Sequence, residues 1–157
     1  MLNTHERVCT GKNLVTCITI DSGDIDAALS NFPILLYIST SSGINSEDLS
    51  FVFDELAQDA NRKKIAVTLA DGTTECYVEI EKWDDANEVA WLHVKVPSVS
   101  SSAATVLYLY YDSAQSENTT YIGETTIAVT HNIRDSNFKC SRHKEPNATG
   151  SEHRATK

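Results

Sequence analysis

The segment Glu75–Val96, ECYVEIEKWDDANEVAWLHVKV, decides the fold because it contains two runs in which apolar and polar residues alternate. In the first run Cys76, Val78 and Ile80 lie on one side of an extended chain. In the second run the apolar positions are Ala90, Leu92, Val94 and Val96. A period of two is typical of antiparallel strands with one buried and one solvated face. The intervening WDDANE is rich in turn-forming residues, so the segment predicts two strands joined by a tight turn.

Further runs on both sides of this segment also have strand character, and these are residues 14–20, 32–38, 49–53, 64–69 and 105–111. They are rich in β-branched and aromatic residues. The run FPILLYI (32–38) is almost continuously apolar, as expected of a strand buried on both faces or partly so. Asp71-Gly72 separates two extended runs and predicts a hairpin. Pro97 is expected to end the strand that precedes it.

One stretch, SEDLSFVFDELAQDANRKK (46–64), has helix formers and a candidate N-cap at Ser46. Its apolar spacing allows one short turn of helix, or two at most. Seven predicted strands, short turns and little helix indicate an all-β fold. The expected architecture is an antiparallel β-sandwich of the jelly-roll or immunoglobulin-like type.

The chain has 157 residues, which is enough for one domain with its own core. We expect a flexible N-terminal segment at 1–11, a β-sandwich domain at 12–124 and a tail at 125–157, where apolar residues become sparse. The four cysteines are Cys9, Cys17, Cys76 and Cys140. Their spacing matches no zinc or redox motif, so we interpret them as buried or free thiols. The alternative is a single disulfide between Cys17 and Cys76.

Charge and hydropathy exclude some classes of function. The net charge of −9 repels phosphates and disfavours nucleic-acid binding. No apolar run approaches the roughly 18 residues of a membrane span. The N-terminus has no secretory-signal pattern. We therefore expect that the protein stays where it is made, leaves as part of a virion, or is an excised piece of a longer chain.

Both tryptophans of the chain lie close to carboxylates and a histidine, which makes this region the main candidate binding site. The candidate ligand-binding residues are Tyr77, Trp83, Asp84, Trp91 and His93. In a functional interpretation, indole rings stack on the apolar faces of sugar rings and carboxylates accept hydrogen bonds from hydroxyls. In a structural interpretation, which we favour, WDDANE is a turn, Trp83 packs at a strand end and Trp91 packs on the outer face.

Other chemistries have weaker signals. Glu79 and Glu81 share one strand face and could form a glycosidase pair, but such pairs are common on wet sheet faces. The loop DSGDID, with Asp21, Asp24 and Asp26, lacks the spacing of a calcium-binding EF-hand and is interpreted as a turn. No G-x-S-x-G motif is present. We expect no enzyme activity, no catalytic residue, no metal and no cofactor. Two glycosylation sequons begin at Asn118 and Asn147.

Several motifs follow one another in a recognisable order: KNLVTCITID, LSNFPILLYI, DLSFVF, CYVEIEKWDDANEVAWLHVKVP and TVLYLYYDS. This order resembles a family of bacterial, archaeal and phage surface modules catalogued as a domain of unknown function, whose members commonly precede concanavalin-A-like (LamG) lectin domains. The resemblance covers about residues 12–123. The sequence departs from the family in its opening TGKNLVTC, at His93, where an aromatic is common, and at Asp112-Ser113, where Gly-Asn is common.

The resemblance implies an extracellular or virion-surface location and a role near glycans, and it supplies no catalytic residues. It identifies residues 125–157 as the truncated start of a lectin-like domain. We therefore expect a non-enzymatic scaffold or adhesion module whose partner is a glycan or an adjacent lectin domain. One alternative is a homo-oligomeric filament subunit that adds the strand TTIAVT (125–130) to a neighbour's sheet edge. The other alternative is a carbohydrate-binding module that uses Trp83, Trp91 and Tyr77.

Overall fold

A computed structural model of the protein describes the backbone of residues 2–6 and all atoms of residues 14–124. The predicted tail at 125–157, its candidate donor strand 125–130 and the sequon at Asn147 lie outside the described residues.

The described residues form eight strands and one short α-helix. The strands are β1 (Leu2–Glu6), β2 (Leu14–Ile20), β3 (Leu29–Ile38), β4 (Ile65–Leu69), β5 (Tyr77–Asp84), β6 (Val89–Val99), β7 (Thr105–Tyr111) and β8 (Ile122–Glu124). The helix α1 spans Phe51–Leu56, and single 3₁₀ turns span Ser22–Asp24, Asp59–Asn61 and Asp85–Asn87.

The strands form two four-stranded sheets that pack together as a β-sandwich, which confirms the predicted all-β fold. Sheet A has the order β1-β2-β7-β4, and sheet B has the order β3-β6-β5-β8. Every pair is antiparallel except β5 and β8, which run parallel. Strand β1 lies in the N-terminal segment 1–11, which is predicted to be flexible, and it pairs with β2.

The core lies between the two sheets and contains the apolar positions that the alternation predicted. Cys76, Val78 and Ile80 from the β5 segment are buried, and so are all four predicted positions of β6, which are Ala90, Leu92, Val94 and Val96. Sheet A contributes Ile18, Leu107 and Leu109 to the same cluster. Each sheet therefore buries one face, as a sandwich requires.

The strand prediction for residues 49–53 is wrong, because this segment begins helix α1. Val52, Phe53 and Leu56 are buried, and this spacing turns one side of a helix toward the core. The carboxylate of Asp48 accepts a hydrogen bond from the Ser50 amide at 2.9 Å, ahead of the first turn. The helix ends at Ala57, which has a positive φ of 60° and donates its amide to Phe53. Ser46, the predicted N-cap, lies outside the helix.

The turn predicted at Asp71-Gly72 forms, but the strands that it joins belong to different sheets. Gly72 has a φ of +70°, and the Leu69 amide donates to Thr74 across the turn at 2.9 Å. The Asp71 carboxylate accepts hydrogen bonds from the hydroxyl and amide of Thr74 and from the Thr73 amide, which lower its pKa to about 2. Beyond the turn, β4 pairs with β7 while β5 pairs with β6 and β8. The chain therefore crosses from sheet A to sheet B.

Strand β6 continues through Pro97, although this proline was expected to end it. The pairing of β6 with β5 stops at Lys95, so Pro97 lies where β6 has β3 as its one neighbour. A residue without a backbone N–H is tolerated there because no hydrogen bond to β5 is lost. The β3 residue opposite, Asn31, has a positive φ of 51°, which marks an irregularity in the ladder.

The alternative of a Cys17–Cys76 disulfide is wrong, since both thiols are free. Cys17 pairs in register with Tyr108 on the outer face of sheet A, whereas Cys76 is buried in the core. The two side chains thus lie on opposite sides of sheet A. Burial raises the pKa of the Cys76 thiol to about 11, with smaller contributions from Asp71 and Glu75. Such a thiol is unreactive at neutral pH.

Candidate functional site on the outer face of sheet B

The outer face of sheet B is the surface of this sheet that points away from the core, and it collects three of the five candidate ligand-binding residues. The register of β3, β6 and β5 places side chains there in three rows across the strands. The rows are Tyr37–Trp91–Lys82, Leu35–His93–Glu79 and Pro33–Lys95–Tyr77. The surface is built on strands, so its side chains have well-defined relative positions.

The first row presents aromatic surface to solvent. Trp91 on β6 and its cross-strand partner Tyr37 on β3 are each 39% exposed. On the other side of Trp91, the Lys82 ammonium lies 5.9 Å from the centroid of the indole ring. That distance is within the range of a cation–π contact. Leu35 extends the apolar surface into the next row and is 48% exposed.

His93 of the second row forms an acid–base pair with Glu81, which lies on β5 between the first and second rows. The imidazole Nε2 of His93 lies 2.5 Å from a carboxylate oxygen of Glu81. The His93 side chain is mostly covered, while Glu81 remains exposed. This pair fixes the orientation of both side chains and leaves the remaining carboxylate oxygen available to accept a hydrogen bond.

A β-bulge separates the two tryptophans onto opposite faces of sheet B. The register of β5 against β6 shifts between Ile80 and Lys82, so that Glu81 is the extra residue. After the bulge Lys82 points outward and Trp83 points toward the core. Trp83 packs with its ring centroid 5.1 Å from that of Phe53, and its indole nitrogen is buried without a hydrogen-bond partner. A surface formed by Trp83, Trp91 and Tyr77 together does not exist.

Asp84 shapes the turn between β5 and β6, as the structural interpretation of WDDANE predicted. Its carboxylate accepts hydrogen bonds from the backbone amide of Asn87 at 3.1 Å and from the Asn87 side chain at 2.9 Å. The Asn87 side chain is the largest cause of the lowered pKa of Asp84. Asp84 therefore lies at the end of sheet B, and its carboxylate is engaged in the hydrogen bonds of the turn.

Tyr77 lies at the other end of the outer face of sheet B. It is 43% exposed, and its ring centroid lies 5.2 Å from that of Tyr121. The adjacent Glu79 was predicted on the wet face but is 2% exposed. The two carboxylates of the glycosidase alternative thus lie in different environments, since Glu79 is buried and Glu81 binds His93.

The remaining candidates lie in turns and loops. The Asp21 carboxylate accepts the amide of Gly23 at 2.9 Å, which confirms the interpretation of DSGDID as a turn. Within residues 14–124, no group of three or more His, Cys, Asp or Glu side chains is arranged to hold a metal ion.

Asn118 lies in a loop, as predicted, and its amide nitrogen donates to Glu75 at 2.9 Å and to the Ile65 carbonyl at 3.3 Å. A glycan on this nitrogen would have to break these contacts.

Sequence reasoning missed Tyr37, Leu35 and Lys82 as members of this surface. FPILLYI is apolar at every position, so its period of two is invisible, and Leu35 and Tyr37 resemble core residues. Strand β3 is an edge strand with one exposed face. Lys82 follows the bulge, and the alternation of β5 therefore assigns it to the wrong face.

These features define a class of protein, a β-sandwich module with a partly exposed aromatic surface on one sheet. Residues 61–132 match the sequence model of a family described as Domain of unknown function (DUF2341). The match begins shortly before β4, includes β8 and covers somewhat less than half of this chain, which is thus similar to that family over these residues. No curated protein and no solved structure shows significant similarity to the chain. The helices among the described residues are all too short and too polar to cross a membrane.

Proposed function

We propose that the protein is a non-enzymatic binding module that holds a carbohydrate on the outer face of sheet B. In this proposal it acts as a scaffold or adhesion unit on a cell or virion surface, next to a lectin-like partner domain. The location and the partner domain follow from the family resemblance. The carbohydrate-binding surface is argued from the residues themselves.

The observation that carries the proposal is the pair of half-exposed rings, Trp91 and Tyr37, on neighbouring strands. Indole and phenol rings supply flat apolar surface for the C–H faces of sugar rings, and they lose little conformational entropy on binding. A sheet face of this kind suits an extended glycan that lies across the strands.

Polar side chains beside the rings match the hydroxyl groups of such a ligand. Glu81 accepts hydrogen bonds, and its contact with His93 holds it in place. The Lys82 ammonium lies 5.9 Å from the centroid of the Trp91 ring and 3.6 Å from a carboxylate oxygen of Asp84, and it is a donor on the same strand as Glu81. Charged donors and acceptors form stronger hydrogen bonds than neutral ones.

Replacing Trp91 by alanine tests this proposal. We expect glycan affinity to fall about thirtyfold or more, because central aromatic residues contribute about 2 kcal/mol or more to binding. A glycan array would identify the ligand, and isothermal titration calorimetry would measure the loss. The free energy of unfolding in urea should fall by no more than the loss of a cross-strand pair, about 1 kcal/mol, because Trp91 is on the outer face of the sheet and 39% exposed.

A matched control is Tyr108→Ala, which removes a partly exposed ring from the outer face of sheet A. This variant should bind the glycan like the parent protein. The proposal is contradicted if no glycan on the array binds the parent protein, or if the Trp91 variant and the parent bind with equal affinity.

A second candidate function, a self-assembling filament, is favoured by the edge of β3. Among the described residues β3 pairs with β6 alone, and it is ten residues long with Leu35 and Tyr37 exposed. Long apolar edge strands accept strands from other chains. Pro33 removes one backbone donor, so Ile34–Ile38 is the part that could pair.

This second function predicts that the purified chain assembles at high concentration. Size-exclusion chromatography with light scattering would show large species, and electron microscopy would show fibres. The variant Leu35→Lys places a charge on the edge strand and should give monomers. A parent protein that remains monomeric at millimolar concentration excludes the filament.

A further inference from the structure

A pocket of about 370 Å³ lies on the other sheet, where strands β4 and β7 meet the loop that precedes β8. Its volume is at the lower end of the range for small-molecule sites, about 300–1,000 Å³. The residues that matter for its chemistry are Ala66, Gly72, Glu75, Tyr110, Asp112 and Asn118. The pocket belongs to sheet A, so it is separate from the outer face of sheet B.

Two small residues leave space beside the ring of Tyr110. Ala66 is the cross-strand partner of Tyr110 on β4 and offers only a methyl group. Gly72 approaches from the turn after β4, and a Cβ atom on it would lie 3.2 Å from the phenol oxygen. The phenol therefore has small neighbours on two sides and forms part of the pocket wall.

The polar groups of the pocket are held in place by the fold. The Asn118 amide nitrogen donates to the Glu75 carboxylate at 2.9 Å and to the Ile65 carbonyl at 3.3 Å. The Asn118 side-chain oxygen accepts the Tyr121 amide at 3.3 Å. The carboxylate is thus oriented before any ligand arrives, which lowers the entropic cost of binding.

Charge narrows the class of ligand. The pocket contains the carboxylates of Glu75 and Asp112 and one cation, Lys64. The Lys64 ammonium donates to the Ser113 carbonyl at 2.8 Å, which directs it to the protein backbone. The two carboxylates exceed the one ammonium by one negative charge, and this disfavours an anionic ligand.

We propose that this pocket binds a single neutral sugar ring or a similar small polyol. The ring of Tyr110 provides apolar contact for the C–H groups of the ligand, and Glu75 accepts hydrogen bonds from its hydroxyls. The module would then have two binding sites on opposite sheets, an open surface for an extended glycan and a pocket for one ring.

Titration of the full chain with neutral monosaccharides, followed by ¹H–¹⁵N NMR, tests the pocket directly. We expect glucose, galactose, mannose or N-acetylglucosamine to shift the signals of Ala66, Gly72 and the Asn118 side-chain amide. Ala66→Leu fills the space beside Tyr110 and should weaken binding about tenfold or more. Trp91→Ala should leave these shifts unchanged, which separates this pocket from the sheet B surface.

A second variant keeps the test decisive if Ala66→Leu does not fold. Glu75→Gln retains an oxygen that accepts the Asn118 amide and removes the charge, and it should weaken binding several-fold because the hydrogen bonds to the ligand become neutral. The proposal is overturned if no neutral monosaccharide shifts the pocket signals. It is also overturned if glucuronate or tetramethylammonium alone shifts them, or if both pocket variants bind like the parent.

Discussion

Replacing Leu36 by alanine is expected to lower the free energy of unfolding by about 2–5 kcal/mol, the usual cost of truncating a fully buried leucine. Leu36 lies on β3, is 1% exposed and faces its partner Leu92 within the core between the sheets. The loss combines the transfer free energy of the removed carbon atoms with the cavity that remains. Urea denaturation followed by circular dichroism measures it.

The neighbouring residue is a matched control of the same type. Leu35 is 48% exposed on the outer face of sheet B, so Leu35→Ala should change stability by about 0.5 kcal/mol or less. The pair tests the register of β3 in the sheet, because a shift by one residue would exchange the two faces. Equal losses in the two variants would contradict the described register.

Replacing Arg62 by methionine is expected to cost about 2–3 kcal/mol. Arg62 holds the buried carboxylate of Glu124, with its Nε 2.9 Å and its Nη2 2.8 Å from Glu124 Oε1. The Lys63 ammonium lies 3.2 Å from the same oxygen. Removal of one partner from a fully buried ion pair typically costs about 3–5 kcal/mol, and both the 31% exposure of the Arg62 side chain and the remaining Lys63 reduce this cost.

A double-mutant cycle separates the ion pair from general packing. Glu124→Gln removes the charge that Arg62 neutralises, so Arg62→Met should cost about 1 kcal/mol less in that background. Arg62→Lys should be intermediate, because it keeps the charge but loses the planar donor pair. Additive losses in the cycle would show that Arg62 and Glu124 act independently.

Alternation along the chain was sufficient to predict the core positions of β5 and β6. Each of these strands has one wet face, so the period of two is visible in its sequence. The same pattern predicted that Trp91, His93 and Tyr77 lie outside the core. These are the features of the fold that depend on local sequence.

Features that depend on long-range contacts could not be predicted. Apolar residues occupy both faces of β3, so nothing in FPILLYI shows that Leu35 and Tyr37 are exposed. The segment 49–53 is too short for its period to distinguish a strand from a helix. The choice of β7 over β5 as the partner of β4 depends on the packing of both sheets. The bulge at Glu81 decides the position of Trp83, and it cannot be recognised from the alternation of apolar and polar residues in the sequence.

The bulge at Glu81 also gives the protein two independent optical reporters. Trp83 is partly buried and packs against the core beside Phe53, so its fluorescence responds to the packing of the core. Trp91 lies at the surface beside Lys82, so its fluorescence responds to whatever touches the outer face of sheet B. With one tryptophan on each face, unfolding and ligand binding can be followed separately in a single unlabelled chain.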